Sequence, residues 1–447
     1  MCLSSAIASA QSDSAMIKKI FNEALTNGKS YSNLDYLTNK IGGRLSGSPQ
    51  AQLAVEWAFK AMKDAGADTV YLQECMVPHW VRGEKETAKV TGSGSKKFKE
   101  VPICALGGSI ATPAEGITAQ VIEVKSFEEL KKLGKENVTG KIIFFNLPMD
   151  PTQIETFNAY SAAVALRWAG ALEAAKYGAV GAVVRSCTLA QDDNPHTGVM
   201  GYNDSVTKIP ACAISTNGAN WLSENLKTDK NLNFYFKMSC QTLPDEKSYN
   251  VVGELRGTVK AKEYIVVGGH LDSWDTGKGA NDDGSGVVQC IEVLRIYKAL
   301  GIKPKFNIRA VAFMNEENGG RGGKKYAELA KLNDEKHIAA IESDAGSFTP
   351  MGFSSDAPPA VKAKLKSWRP LFEPYGIYNF DRDGGGSDIE PLKKSGVPLI
   401  ELMPDSQRYF DYHHTPIDVF ENVNKRELEL GGAAMAALIW MISQYGM

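Results

Sequence analysis

The sequence predicts an α/β protein built from two parts, and three observations carry that reading. From Tyr249 onward, apolar strands alternate with helices, the pattern of a sheet covered on both faces. Between about Gly116 and Asp245 the rhythm changes to short β-branched runs separated by helices, as in a compact insertion with its own small core. Apolar residues make up 43% of the 447-residue chain and charged residues 23%, enough to build a large core and too apolar for a disordered chain. Length alone suggests roughly three units of about 150 residues, or fewer if one is large. The 50 basic and 52 acidic side chains leave a formal net charge of −2, without the basic excess of a nucleic-acid binder. There is no apolar run of about 18 residues or more, so no membrane-spanning helix is expected.

Residues 1–13 are expected to be the remnant of an export signal: Met1 to Gln11 is small and Ser/Ala-rich, and Ala8-Ser9-Ala10 resembles a signal-peptidase site. Ser14 to Leu25 sets Ile17, Ile20, Phe21 and Leu25 on one helical face. After the Gly42-Gly43 turn, Pro49 opens a helix that runs to about Ala65. Thr69–Val77 and Glu86–Thr91 read as strands, completing a segment 14–115 that belongs with the C-terminal part. In the insertion, 116–245, the strands are Ile117–Val124, Gly140–Leu147, Ala179–Arg185, Ile209–Ile214 and Leu232–Met238. Helices over about Phe127–Gly134, Ala159–Tyr177 and Asn217–Leu226 separate them. In 246–447 the strands are Tyr264–Val267, Phe306–Met314, Ile338–Ile341 and Val397–Leu402, with helices at Gly286–Leu300, Gly322–Ala330 and Lys425–Tyr445.

Seven cysteines are scattered along the chain without a CxxC pair, which argues against a zinc ribbon or a dithiol redox site. Most read as core packing, and a pairing such as Cys187–Cys212 stays open.

The chemistry gathers where the C-terminal strands end. One strand runs into Gly268-Gly269-His270-Leu271-Asp272, another into Asn315-Glu316-Glu317, a third into Glu342-Ser343-Asp344, and Gly384-Gly385-Gly386-Ser387-Asp388 precedes a fourth. In open α/β sheets ligands bind at those carboxyl ends. Each piece alone has a bland reading. His270 could be a strand-end histidine bonded to backbone, Asp282-Asp283 a helix cap, Glu316-Glu317 a solvated turn, and His413-His414 part of an aromatic loop. Their shared location favours a site of two imidazoles and three carboxylates. Two divalent ions about 3.5–4 Å apart need a bridging carboxylate and further ligands on each. Asp282 would bridge, His270 and Asp344 would hold one ion, and Glu317 and His414 the other. The mixed donors suit two Zn²⁺, and Co²⁺ or Mn²⁺ also fit. Adjacent Glu316 points elsewhere and is free to take a proton from water. Asp272 would hold the His270 tautomer, and Asp418 is near enough in sequence to orient a histidine of the 413–414 pair.

GGHLDSWDTGKGANDDGSG, MNEENGG, ESDAG and YHHTP together resemble the M28 zinc peptidases. Pro78–Glu84, Thr112–Ala119 and Pro195–Gly198 resemble one branch of that family, so the likeness runs from about Asn27 to the C-terminus. It implies a mixed-sheet α/β/α sandwich interrupted by a protease-associated (PA) domain near 116–245. It also implies exopeptidase action on short peptides, secretion and homodimers. Carried over residue by residue, the metal ligands are His270, Asp282, Glu317, Asp344 and His414, with Glu316 as acid/base and Asp272 as orienting group. His196 sits in a family-like loop of the insertion, with a substrate or dimer role. After His414 the chain reads Thr415-Pro416-Ile417-Asp418, shorter than in that branch, which leaves substrate preference open. Two competing readings are hydrolysis or cyclisation of other amides at the same site, and a binding protein with a dead site. The latter needs missing ligands, and all five are present. Other catalytic classes lack their motifs: Glu23 stands where a P-loop would need glycine, and there is no HExxH.

Overall fold

In the computed structural model of the chain, residues 2–92, 98–259 and 262–447 are described, with side chains from residue 12 onward. Of the stretch expected as an export remnant, residue 1 lies outside the described residues and the rest continues into the helix Cys2–Asn27. No described helix is long and apolar enough to cross a membrane. The chain forms two compact units, one of residues 1–77, 245–409 and 418–447, the other of residues 78–244 and 410–417.

The first unit is built on a mixed seven-stranded sheet. Its order is Thr69–Val81, Gln241–Leu255, Asn307–Phe313, Glu263–His270, Lys336–Glu342, Leu399–Pro404 and Pro350–Asp356. The central strands Asn307–Phe313, Glu263–His270, Lys336–Glu342 and Leu399–Pro404 run parallel, and antiparallel partners flank them. Ile265 and Val267 face one core with the helices Cys2–Asn27, Pro49–Asp64, Ser285–Ala299 and Lys425–Tyr445. Val266 faces a second core with Tyr326, Ala330 and Leu392. Both faces are covered, which is why these strands read as unbroken apolar runs.

The second unit holds an eight-stranded sheet whose centre, Ile117–Val124, Ile142–Phe145, Gly181–Arg185 and Ala211–Ile214, is parallel. Ile143, Phe145, Ala182 and Val184 pack against Leu130, Leu166 and Ala174 of the helices Phe127–Val138 and Thr156–Lys176. The sequence expectation begins this part at Gly116, but the unit begins at Pro78. The reason is pairing: Thr87–Thr91 joins Asn233–Lys237 and Ile103–Ala105 joins Ala211–Ile214, so earlier strands enter the same sheet. The unit also takes in 410–417, which sequence order places with the C-terminal part.

The sequence did not signal Gln241–Leu255, whose first seven residues are exposed and carry no apolar alternation. The six described cysteines, Cys187 and Cys212 among them, are buried and unbridged.

Candidate metal centre

The site of the first unit starts at the carboxyl end of the His270 strand. A Cβ on Gly269 would sit 2.5 Å from Asp283 Oδ2 and 2.8 Å from the Gly286 carbonyl carbon, so glycine lets the start of the helix Ser285–Ala299 close against the strand. Asp283 makes that junction: its Oδ2 accepts the His270 N–H at 3.0 Å and its Oδ1 the Gly286 N–H at 2.8 Å. The Asp282–Asp283 peptide bond is cis.

His270 is buried. Its Nδ1 lies 2.9 Å from the backbone oxygen of Asp272 and 3.8 Å from the Asp272 carboxylate, so the backbone oxygen is its closer partner. That contact leaves Nε2 pointing at two carboxylates, Asp282 Oδ1 and Asp344 Oδ1, each 3.2 Å away. The three side chains offer donor atoms within 4.8 Å of one another. The Asp272 carboxylate instead accepts the N–H groups of Asn315 at 2.7 Å and Glu316 at 3.1 Å. It thereby fixes the turn that presents the two adjacent glutamates. Asn315 takes a left-handed conformation there, φ 74°, which asparagine tolerates better than most residues. Glu317 Oε1 accepts the Trp274 N–H at 3.1 Å.

Three further residues hold these groups, two of which, Arg44 and Asn281, have no role assigned from the sequence. Arg44 is fully buried and donates to the backbone oxygens of Leu271 at 2.5 Å, Lys278 at 2.8 Å and Gly279 at 3.0 Å. Asp418, expected to orient a neighbouring histidine, takes the N–H of Asn281 at 2.8 Å and of Asp282 at 3.1 Å, and so aims the Asp282 loop. Asn281 in turn binds Ser347 Oγ through its Oδ1 at 2.8 Å. Nothing local in the sequence marks Arg44, because its partners are backbone atoms far along the chain.

The electrostatics are those of crowded buried acids. Burial first, and then Asp344, Asp272 and Asp282, pushes Glu316 up to about 7 against the pull of His270. Burial opposes charge on His270, yet Asp344, Asp282 and Asp283 hold it well above the usual imidazole range. Burial, with Glu342 and Glu316, drives Asp388 of the Gly384–Asp388 loop well up, and burial with Asp344 and Glu401 does the same to Glu342. Burial also pushes Asp418 up to about 6. Buried carboxylates at this density are costly unless cations neutralise them. An imidazole nitrogen and two carboxylate oxygens converging on one point are a donor set suited to a divalent transition metal, and the residues fit such an ion.

His414 and His196 lie in the second unit. His414 has φ 63°, its Nδ1 is 3.2 Å from the Thr197 carbonyl oxygen, and its ring stacks on His413 with centroids 3.5 Å apart. His196 is buried, its N–H donates to Ser186 Oγ at 2.9 Å, and neither ring nitrogen has a hydrogen-bond partner among the described residues. Burial, and then the charge of His414, pushes it down to about 3.

A mixed sheet whose parallel strands end in a histidine and converging carboxylates places a metal-binding donor set at the ligand-binding edge of the fold. The model of peptidase family M28 matches residues 250–439. Carboxypeptidase Q of Mus musculus is 34% identical over 93% of this chain and 86% of that protein. The crystal structure of a peptidase M28 precursor from Shewanella amazonensis SB2B superimposes with a TM-score of 0.91 at 33% identity, covering 97% of each chain. BSAP, a zinc aminopeptidase from Bacillus subtilis, shares the fold, with a TM-score of 0.66 at 20% identity over 93% of this chain and 95% of that one. The chain belongs to peptidase family M28 and is a hydrolase, a metallo-exopeptidase.

Proposed function

We propose that the protein is a two-zinc exopeptidase that cleaves short peptides with free termini. The observation that carries this reading is the convergence of His270 Nε2 with Asp282 and Asp344 at 3.2 Å. In this reading His270, Asp282 and Asp344 would hold one ion, and Asp282 and Glu317 would serve a second. His414 keeps the ligand role that its motif implies. When bound, the ions supply acidification of water and polarisation of the scissile carbonyl. Glu316 takes the proton from the attacking water and delivers it to the leaving amine. Asp272 positions Glu316 through the Glu316 N–H, and Asp283 and Asp418 keep His270 and Asp282 aimed.

The second unit is read as the protease-associated part, with His196 on its substrate-facing or dimer-facing loop. The protein is further read as exported and homodimeric, which cell fractionation and sedimentation would test. The deciding experiment is hydrolysis of unblocked dipeptides against N-blocked and C-amidated versions, with and without a chelator. Cleavage that survives chelation would remove the metal reading. Equal cleavage of doubly blocked peptides would remove the exopeptidase one.

A further inference from the structure

The second unit carries a cavity of about 280 Å³ at the carboxyl ends of its parallel strands. Lys125 follows the strand Ile117–Val124, Asn146 follows Ile142–Phe145, and Arg185 ends Gly181–Arg185. Asn220, Ser223 and Lys227 face it from the helix Thr216–Thr228. Arg185 is the unusual member. Its side chain belongs to a residue only 5% exposed, yet it makes no ion pair among the described residues.

Neutral oxygens hold this guanidinium. Its Nη1 donates to Asn220 Oδ1 at 2.7 Å and to Asn146 Oδ1 at 3.2 Å. Nε has no acceptor, and Nη2 donates to no described residue. The neighbouring acid, Glu123, is turned to other partners: it accepts from Asn146 Nδ2 at 2.7 Å and from Ser223 Oγ at 2.8 Å. Asn146 therefore stands between Glu123 and Arg185, with its amide oxygen committed to the cation. Asn220 is fixed the same way, since its Nδ2 donates to Gln191 Oε1 at 2.7 Å. Glu224 also lines the cavity, but it pairs with Lys227 at 2.6 Å.

Burying a guanidinium without a carboxylate is costly, and a planar fork with donors left over matches an oxyanion. The volume admits a ligand of amino-acid or phosphate size, since one water occupies about 30 Å³. Ligands of α/β sheets bind at these strand ends. We propose that this cavity is a binding site for a small oxyanion, a carboxylate or a phosphate, gripped by Arg185 and rimmed by Lys125 and Lys227. The site is separate from the peptidase chemistry and does not rest on it.

The test is calorimetric titration of the metal-loaded protein at constant ionic strength with inorganic phosphate, with acetate, and with acetamide as the neutral counterpart. Anion binding at the metal centre is common to every variant, so the difference between variants reports this cavity. Saturable binding of acetate or phosphate, but not acetamide, is expected in the parent protein. Arg185→Gln should weaken it by about tenfold or more. Because that change alters a buried network, the exposed pair Lys125→Glu and Lys227→Glu gives a second route. The double variant should lose the same binding while peptide turnover stays unchanged. Tighter acetate binding would point to a peptide or amino-acid carboxylate, and tighter phosphate binding to the inorganic ion. Unchanged anion affinity in the lysine double variant, or equal binding of acetamide, would overturn the proposal.

Discussion

In the first unit, the strands Glu263–His270 and Lys336–Glu342 run out into His270, Glu342 and Asp344; in the second, Ile142–Phe145 and Gly181–Arg185 run out into Asn146 and Arg185. The backbone device is the same in both, since adjacent parallel strands deliver their last side chains to one neighbourhood. The sign of charge is opposite, and so is the means of holding it. The first unit restrains its acids with backbone N–H groups, a buried arginine pins the neighbouring loop through carbonyl oxygens, and burial still pushes Glu316 up to about 7. The second holds its guanidinium with two neutral amides that are themselves tied down. One architecture thus makes a cation-demanding site or an anion-demanding one, according to a few residues at strand ends.

Four substitutions and one chelation experiment would break or sharpen that contrast. The largest effect is expected from Asp282→Ala, which should lose metal and with it measurable peptide hydrolysis. Full metal content by elemental analysis would remove Asp282 from the ligand set. Glu316→Gln should keep its metal and lose about 10²–10⁴-fold in turnover, the usual contribution of a positioned acid/base; an active Gln variant would end the assigned role. Asp418→Ala frees the Asp282 loop and should weaken metal affinity by about 10–100-fold, as loss of an outer partner does. Competition with a metal-binding dye would measure it. Chelation at the same time should raise hydrogen exchange at 270–284 and 315–317 and leave 142–145 and 181–185 unchanged. A uniform rise would show that the two units do not differ in their need for cations. The smallest effect is local to the second unit: Ser126 caps the helix Phe127–Val138 by accepting the Glu129 N–H at 3.1 Å. Ser126→Ala should cost about 1 kcal/mol in denaturant unfolding without touching turnover.

His270, Glu316, Glu317 and Asp344 were legible as candidates because each follows the point where an apolar run stops and glycines or acids begin, and Asp282 because two adjacent acids stand in a glycine-rich turn before a helix. Strand ends are local events, and local pattern reports them. The two-core sheet was legible for a similar reason, since Ile265-Val266-Val267 has no polar side to expose. Arg44 and the true partners of Asp418 were not. Arg44 works through carbonyl oxygens, and any residue supplies a carbonyl, so no residue type betrays the contact. Gln241–Leu255 escaped because half of it is exposed and polar. The membership of 410–417 in the second unit escaped because packing, not chain order, decides it.

Arg44 also sets an order of events in folding. Its bonds to Leu271 and Gly279 span 227 and 235 residues of chain. Contacts at that separation close late, after the loop entropy has been offset by other parts of the structure. The sheet can therefore assemble before the loop between His270 and Gly279 is pinned, and high metal affinity would arrive as a final step. Pulse-labelling during refolding should then protect the amides of 265–267 well before those of 271–279, and a simultaneous gain of protection would contradict that sequence.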